Sequence, residues 1–250
     1  MSKQTILITG ASGGIGSALA RHYARPDATL LLWGRDAARL EETAAACRAR
    51  GAHCAVDSFD LRDCSAQLAR LSAADAATPI DIAIFNAGLG GTPPDDAPAE
   101  SPEASRAVAE VNFVAPVTGA NAIAASMAGR GRGQIVLIGS IAESFPLPMA
   151  PTYAATKAGL RMFAEALGTR LARYGVSVTL VSPGFIDTAM SRQVTEPKPF
   201  LMNADKAAGI IARGVAAHAR TIVLPWQFRV IRALTGLLPR AVLRRVLSRV

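Results

Sequence analysis

The chain has 250 residues, half of them apolar, with 27 basic and 19 acidic side chains and a net charge of +8. That is enough to bury a full core, and it suits one doubly wound α/β domain without internal repeat or long linker. The last acidic residue is Asp205, residues 206–250 hold nine basic groups, and the first 205 are nearly neutral with 18 basic and 19 acidic, which excludes a uniformly basic nucleic-acid binder.

Met1-Ser-Lys-Gln leads straight into an apolar run, without the charged region and long apolar core of a signal peptide. No stretch reaches the roughly 18–20 apolar residues needed to span a bilayer. A cytoplasmic location is expected. Cys47, Cys54 and Cys64 have no metal-like spacing and do not cluster with His22, His53 and His218. They read as free thiols in a reducing compartment, with no metal site.

In chain order, strand-like runs fall at about 5–9, 29–33, 52–56, 80–85, 134–139, 176–181 and 221–224, separated by alanine-rich helical segments. The alternation predicts a parallel sheet with helices on both faces and right-handed connections. The first run enters Gly10-Ala-Ser-Gly-Gly-Ile-Gly16, and the helical pattern Ala18, Leu19, Ala20, Tyr23 follows. Between a buried strand and a helix, such glycines let backbone approach a pyrophosphate, and the amides at the helix start supply positive potential. Gly10, Ser12, Gly14, Ile15 and Gly16 are the candidates there.

Further along, Tyr153 and Lys157 stand one helical turn apart in Pro151-Thr-Tyr-Ala-Ala-Thr-Lys-Ala, and Ser140 closes the run Gln134-Ile-Val-Leu-Ile-Gly-Ser. An ammonium beside a phenol favours the phenolate, drawing the tyrosine below its usual pKa of about 10. A phenol tuned in that way exchanges a proton with an alcohol or ketone near neutral pH, and the Ser140 hydroxyl would hold the same oxygen. The spacing by itself equally describes a surface turn with a Tyr against a Lys stem.

Thr9-Gly-Ala-Ser-Gly-Gly-Ile-Gly16, Asn86-Ala-Gly88, Asn112 in Glu110-Val-Asn-Phe, Ser140 with Tyr153 and Lys157, and Pro183-Gly-Phe-Ile-Asp-Thr188 follow one another in the order of the short-chain dehydrogenase/reductase family, which the chain resembles from Ile6 to about Leu224. The resemblance implies a single Rossmann-type doubly wound parallel sheet over 1–225, followed by a basic amphipathic tail over 226–250 packed on the same domain. It implies Tyr153 as general acid/base and Lys157 as the residue that lowers its pKa and touches the nicotinamide ribose. Ser140 would orient the carbonyl, and Asn112 would hold a water of the proton relay. It also implies that Asn86, Ala87 and Gly88 line the cofactor with Pro183 and Gly184, that Ile186 and Thr188 meet the carboxamide, and that Asp60 and Leu61 face the adenine. Phe85 departs from the family, which usually has a second, strand-bracing Asn there. The family commonly forms dimers or tetramers through the helices around 104–127 and 152–173, so a homodimer or homotetramer is expected.

At the end of the second strand, Gly34-Arg35-Asp36 selects between the two nicotinamide cofactors. An NAD site needs an acid for both ribose hydroxyls, whereas an NADP site needs room and a cation for the 2′-phosphate. Gly34 leaves room and Arg35 supplies a guanidinium fork, so NADP(H) is expected ahead of NAD(H). Asp36 directly precedes a helical stretch and is read as its cap.

The substrate loops carry Phe145, Met149, Phe185 and Met190, which predict an apolar pocket for a small, lipophilic molecule, with Glu143 as a polar contact. Ser191 to Met202 is read as a substrate lid. In the tail, Phe228 to Leu238 carries a stripe through Val230, Ile231, Leu234 and Leu238. From Arg240 to Val250, one face is apolar and the other bears four arginines. Three readings stay open for it: peripheral contact with the inner membrane face, contact with another subunit, or a last helix over the core with a solvated arginine face. The tail is similar to that of a subgroup that includes decaprenylphosphoryl sugar 2-keto-reductases. That likeness implies a lipid-linked keto-sugar as an alternative substrate, and a catalytically silent NADP-binding regulator is the alternative outside enzymology.

Overall fold

The computed structural model describes residues 3–90, 97–194 and 197–237. Its strands are β1 (Gln4–Thr9), β2 (Ala28–Gly34), β3 (His53–Ser58), β4 (Ile82–Phe85), β5 (Gly133–Ile138), β6 (Val176–Pro183), β7 (Ile186–Asp187), β8 (Met202–Asn203) and β9 (Thr221–Leu224). The helices are α1 (Gly14–Tyr23), α2 (Ala37–Arg48), α3 (Cys64–Ala77), α4 (Pro102–Ala109), α5 (Ala115–Arg130), α6 (Pro151–Leu171), α7 (Ala189–Arg192), α8 (Ala204–Ala216) and α9 (Gln227–Leu237). Seven strands pair in parallel in the order β3-β2-β1-β4-β5-β6-β9. The chain reverses its direction of travel across the sheet between β1 and β4, and in open α/β sheets ligands bind outside the carboxyl ends of the strands at such a point.

The apolar runs are continuous because both sheet faces are covered. With a period of two, Ile6, Ile8, Leu30, Leu32, Ile82 and Ile84 enter one layer with Leu19, Leu40 and Ile211 from α1, α2 and α8. Leu7, Ala83, Phe85, Ile135 and Leu137 enter the other, against Leu71, Ile123, Met127 and Leu160 from α3, α5 and α6. Each such fully buried side chain contributes about 1.5–3 kcal/mol. Phe85 belongs to this second layer, its ring against Gly119 of α5 where a Cβ would collide. Cys47, Cys54 and Cys64 are free thiols.

All seven predicted runs are strands, with ends displaced by at most two residues. β3 reaches Ser58 because β2 offers a partner as far as Gly34. β4 starts only at Ile82, since the Ile80 amide donates to Asp75 Oδ1 at 2.8 Å and Asp81 exchanges hydrogen bonds with Thr5 of β1. The short pair β7 and β8 was not legible as strand; it ties the loop after β6 to the start of α8.

Helices α4 and α5 are one continuous rod from Pro102 to Arg130, interrupted by a π-helical turn at Glu110–Val114. By length and composition this rod passes for a membrane segment, with a mean hydropathy of 1.2, but half of that window is buried inside the protein. That burial is what a core helix shows.

Helix α9 lies against β9 and the segment Ile141–Ser144. Its inner face differs from the predicted stripe: Phe228 is buried while Val230 is 49% exposed. The reason is Gly184, whose bare backbone leaves room for the Phe228 ring. The predicted amphipathic stretch Arg240–Val250 lies outside the described residues.

Candidate active site

The glycine loop joins β1 to α1. Gly10 has φ of +67°, a left-handed conformation that favours glycine, and a Cβ on Gly16 would strike the Gly10 carbonyl. The start of α1 is thereby pressed onto the loop. Beside it, Thr9 Oγ1 accepts the amides of Asn86 (3.0 Å) and Ala87 (3.1 Å), and Asn86 Nδ2 donates to the carbonyls of Thr9 (3.0 Å) and Gly10 (3.2 Å). These four bonds clasp Asn86-Ala-Gly88 to Gly10-Ala-Ser-Gly-Gly-Ile-Gly16 as one unit. The loop after β6 closes over the same place, with the Thr188 methyl 3.1 Å from where a Gly14 Cβ would sit. Thr188 also caps α7, exchanging hydrogen bonds with Ser191. Ile186 is buried in β7, and Pro183 ends β6 where the Gly184 amide reaches the Leu224 carbonyl at 2.7 Å.

At the end of β2, Asp36 does cap α2, with Oδ1 accepting the Arg39 amide at 3.1 Å. Its carboxylate is thus spent on the helix. Gly34 faces the Ser12 hydroxyl, and the Arg35 carbonyl accepts from Ser58 Oγ at 2.9 Å, which fixes the backbone that carries the Arg35 side chain. A second guanidinium was missed from sequence: Arg39 leans over Gly13 of the glycine loop. Its signal was the spacing, one helical turn after Arg35 on the first turn of α2. Asp60 is engaged by Arg62, which donates its backbone amide and two guanidinium nitrogens at 2.6–2.9 Å and holds the carboxyl below the usual range. The neighbouring Leu61 is buried.

The proton-transfer residues converge from three elements. Ser140 ends the turn after β5, where its hydroxyl accepts the Ala142 amide at 3.2 Å and is close enough to Tyr153 to act on its proton affinity. Tyr153 and Lys157 lie on consecutive turns of α6, with the ammonium 5.7 Å from the phenol ring centroid. Lys157 is 4% exposed and donates to the Ile138 carbonyl at 2.9 Å. Asn112 sits in the π-helical turn, the kind of insertion that re-aims a helical side chain and is frequent at functional sites. Its amide spans Leu89, accepting from the backbone N–H at 2.7 Å and donating to the carbonyl at 2.8 Å. The Gly88 Cα side faces both Asn112 Oδ1 and Lys157 Nζ.

Two expectations are corrected here. Tyr153 was expected below its ordinary pKa, yet burial pushes it up; the Ser140 hydroxyl pulls it down and the Glu143 carboxylate pushes it further up. The ammonium does not reverse this, because burial draws Lys157 itself down to about 8 and its proton is directed at Ile138. Glu143 was expected to face a substrate, but its side chain is wholly buried and bonded to Ser182 and Arg232. The apolar candidates Phe145, Met149 and Phe185 are half-buried, while Met190 is exposed and lies beside Gly90. Of the segment Ser191 to Met202, residues 195–196 lie outside the described residues.

A pH dependence follows from Lys157. Its pKa of about 8 lies below that of an ordinary lysine, so the ammonium is present at neutral pH and lost as pH rises through 8. The dissociation constant for NADPH, read by fluorescence titration, is expected to rise across pH 7–9; a constant value up to pH 10 would contradict this placement of the ammonium.

With this geometry in place, comparison with known proteins is specific. The family model for short chain dehydrogenases matches residues 4–199. An uncharacterised oxidoreductase of Myxococcus xanthus is 32% identical over 96% of this chain and 94% of its own length. The ketoacyl reductase HetN of a Nostoc species is 31% identical over 95% of this chain and 84% of its own. Among solved structures, a short-chain dehydrogenase from Sphingobium yanoikuyae in complex with NADPH superposes with a TM-score of 0.82 at 27% identity, over 95% of this chain and 97% of that one. A bulky-bulky ketone specific alcohol dehydrogenase from Comamonas testosteroni gives 0.79 at 27%, over 95% and 96%. The chain belongs to the short-chain dehydrogenase family. Within that class it is an oxidoreductase acting on CH–OH and C=O groups.

Proposed function

We propose that the protein uses NADP(H), ahead of NAD(H), to reduce the carbonyl of a lipophilic small molecule or to oxidise the corresponding alcohol. The observation that carries this reading is the convergence of Ser140, Tyr153, Lys157 and Asn112 beside a glycine loop over which Arg39 leans. The residues fit the dinucleotide: the bare glycines press the loop and the start of α1 together, since a Cβ at Gly10 or Gly16 would collide with the neighbouring backbone, Arg39 leans over Gly13, and Arg35 would join it on a 2′-phosphate. NADP accompanies the related structure from Sphingobium yanoikuyae in its reduced form, which supports the same choice here.

When bound, NADPH supplies the hydride. In the reductive direction, Ser140 donates a hydrogen bond to the substrate carbonyl and holds it against Tyr153. Tyr153 gives its proton to that oxygen, and its raised pKa suits an acid that must still be protonated at neutral pH. Lys157 would hold the ribose, and a proton drawn from solvent water by way of its ammonium would restore Tyr153, while Asn112 braces the Leu89 backbone beside them. Phe145, Met149, Phe185 and Met190 exclude water from the reacting oxygen. Asp60 and Leu61 face the adenine, and Ile186 and Thr188 face the carboxamide.

The lipophilic substrate rests on the apolar side chains Phe145, Met149 and Phe185, which are half-buried, and on Met190, which is exposed beside Gly90. Oxidation of NADPH with a series of methyl ketones of rising chain length tests both parts. Each added methylene buried is worth about 0.8 kcal/mol, so KM is expected to fall by about fourfold per carbon. No turnover with any ketone would favour a silent NADP-binding protein, and a preference for short polar ketones would remove the lipophilic pocket.

A second reading, a reductase of a lipid-linked keto-sugar at the cytoplasmic membrane face, is favoured by the nine basic and no acidic residues of 206–250 together with the exposed Trp226. Co-sedimentation with anionic but not neutral liposomes, abolished by deleting residues 240–250, is its expected result. Equal sedimentation with and without those residues would count against it.

A further inference from the structure

Behind the catalytic pair lies a charged group that the proposed chemistry does not use. Glu143 closes the turn begun by Ser140: its backbone amide donates to the Ser140 carbonyl at 3.1 Å. Its carboxyl group is completely buried, with Oε1 accepting from Ser182 Oγ at 2.8 Å and from Arg232 Nη1 at 3.2 Å. The second oxygen, Oε2, has no hydrogen-bond partner among the described residues and lies against Gly139. Gly139 stands between Ile138, whose carbonyl takes the Lys157 ammonium, and Ser140, whose hydroxyl acts on the Tyr153 phenol.

We propose that Glu143 is a positioning residue for the reaction, joining helix α9 through Arg232 to the Ser140 turn and setting the charge behind Tyr153 and Lys157. It rests on the function proposed above, since it assigns the electrostatic control of that same site. A structural tie alone does not need a carboxylate here. Burying one with half of its hydrogen-bonding capacity unused costs stability, and an amide or a packed apolar group would fill the space at lower cost. The charge is therefore the property to be explained.

The groups facing Glu143 come from three elements. Ser182 approaches from β6, Arg232 from α9, and Arg161, Lys157 and Tyr153 from α6. Burial pushes the Glu143 carboxyl up, while Ser182, Arg232 and Arg161 pull it down. Ionised, Glu143 raises the proton affinity of both Tyr153 and Lys157. The α9 arginine thus favours the Glu143 charge, and that charge keeps the ammonium of Lys157 in place at higher pH.

The test is the pH dependence of NADPH binding by fluorescence titration, which needs no substrate. In Glu143→Gln, which keeps shape and the Ser182 bond, the pH at which affinity weakens is expected to fall by on the order of half a unit to one unit. Arg232→Met is expected to shift it in the same direction by raising the Glu143 pKa, and Arg232→Lys to restore it. Adding Arg232→Met to Glu143→Gln is expected to produce no further shift, because both act through one group. If the variants bind NADPH with the wild-type pH dependence, whatever their thermal stability, Glu143 is a structural residue and the proposal fails. Arg232→Met removes a side chain that is 25% exposed, so it reports even if the buried substitution unfolds the protein. Failure of the function itself looks different: wild-type protein would then oxidise no NADPH with any ketone.

Discussion

Tyr153→Phe is expected to lower turnover by at least about 10²-fold, and by up to about 10⁴-fold, while the NADPH dissociation constant stays within about threefold. The substitution removes one hydroxyl and keeps the ring, so the helical face shared with Lys157 is preserved. Ser140 keeps its bond to the Ala142 amide, which limits any structural loss to about 1 kcal/mol. What disappears is the only described proton donor in line with Ser140 on a substrate oxygen. Single-turnover kinetics with saturating NADPH separate this loss from slow product release. A variant with near-normal turnover would require another acid, and among the described residues the next titratable side chain behind this face, Glu143, is spent on Ser182 and Arg232.

The second large effect is on cofactor choice. Replacing Arg35 and Arg39 together by Ala is expected to weaken NADPH by on the order of 10²–10⁴-fold and NADH by less than about threefold. Hydrogen bonds to a charged group contribute about 1.5–3 kcal/mol each, and on this account two guanidinium groups would share one phosphate. Neither substitution touches the backbone arrangement: Ser58 holds the Arg35 carbonyl, and Asp36 caps α2 through the Arg39 amide rather than its side chain. Single variants apportion the effect, with Arg35→Ala costing NADPH about 10–100-fold. Equal losses for NADH and NADPH would show that the arginines serve the fold rather than the 2′-phosphate.

Much of this was legible in the sequence, for a physical reason. Parallel strands buried on both faces read as unbroken apolar runs, so Ile6 to Ile8 and Ile135 to Ile138 announced themselves, and the glycine loop is local chemistry between a strand and a helix. Tyr153 and Lys157 share a face by helical geometry alone. Charge states were not legible in the same way. The local argument from Lys157 predicted a tyrosine pKa below the ordinary value, but the sign is decided by burial, which depends on the packing of the whole Ser140 turn. Glu143 looked like a substrate contact because its partners, Ser182 and Arg232, lie 39 and 89 residues away. Val230 was placed on the inner stripe of α9, whereas the bare backbone of Gly184, met only in three dimensions, draws in Phe228 instead. Arg39 was overlooked although its spacing from Arg35 was in view; only the fold shows it leaning over Gly13.

The most direct test of the central claim is a crystal structure of the protein with NADPH. The account predicts the nicotinamide ring in the cleft between Thr188 and the Ser140–Tyr153 pair, the ribose on Lys157, and the 2′-phosphate between Arg35 and Arg39. A nicotinamide ring lying outside that cleft, away from Tyr153, would contradict it.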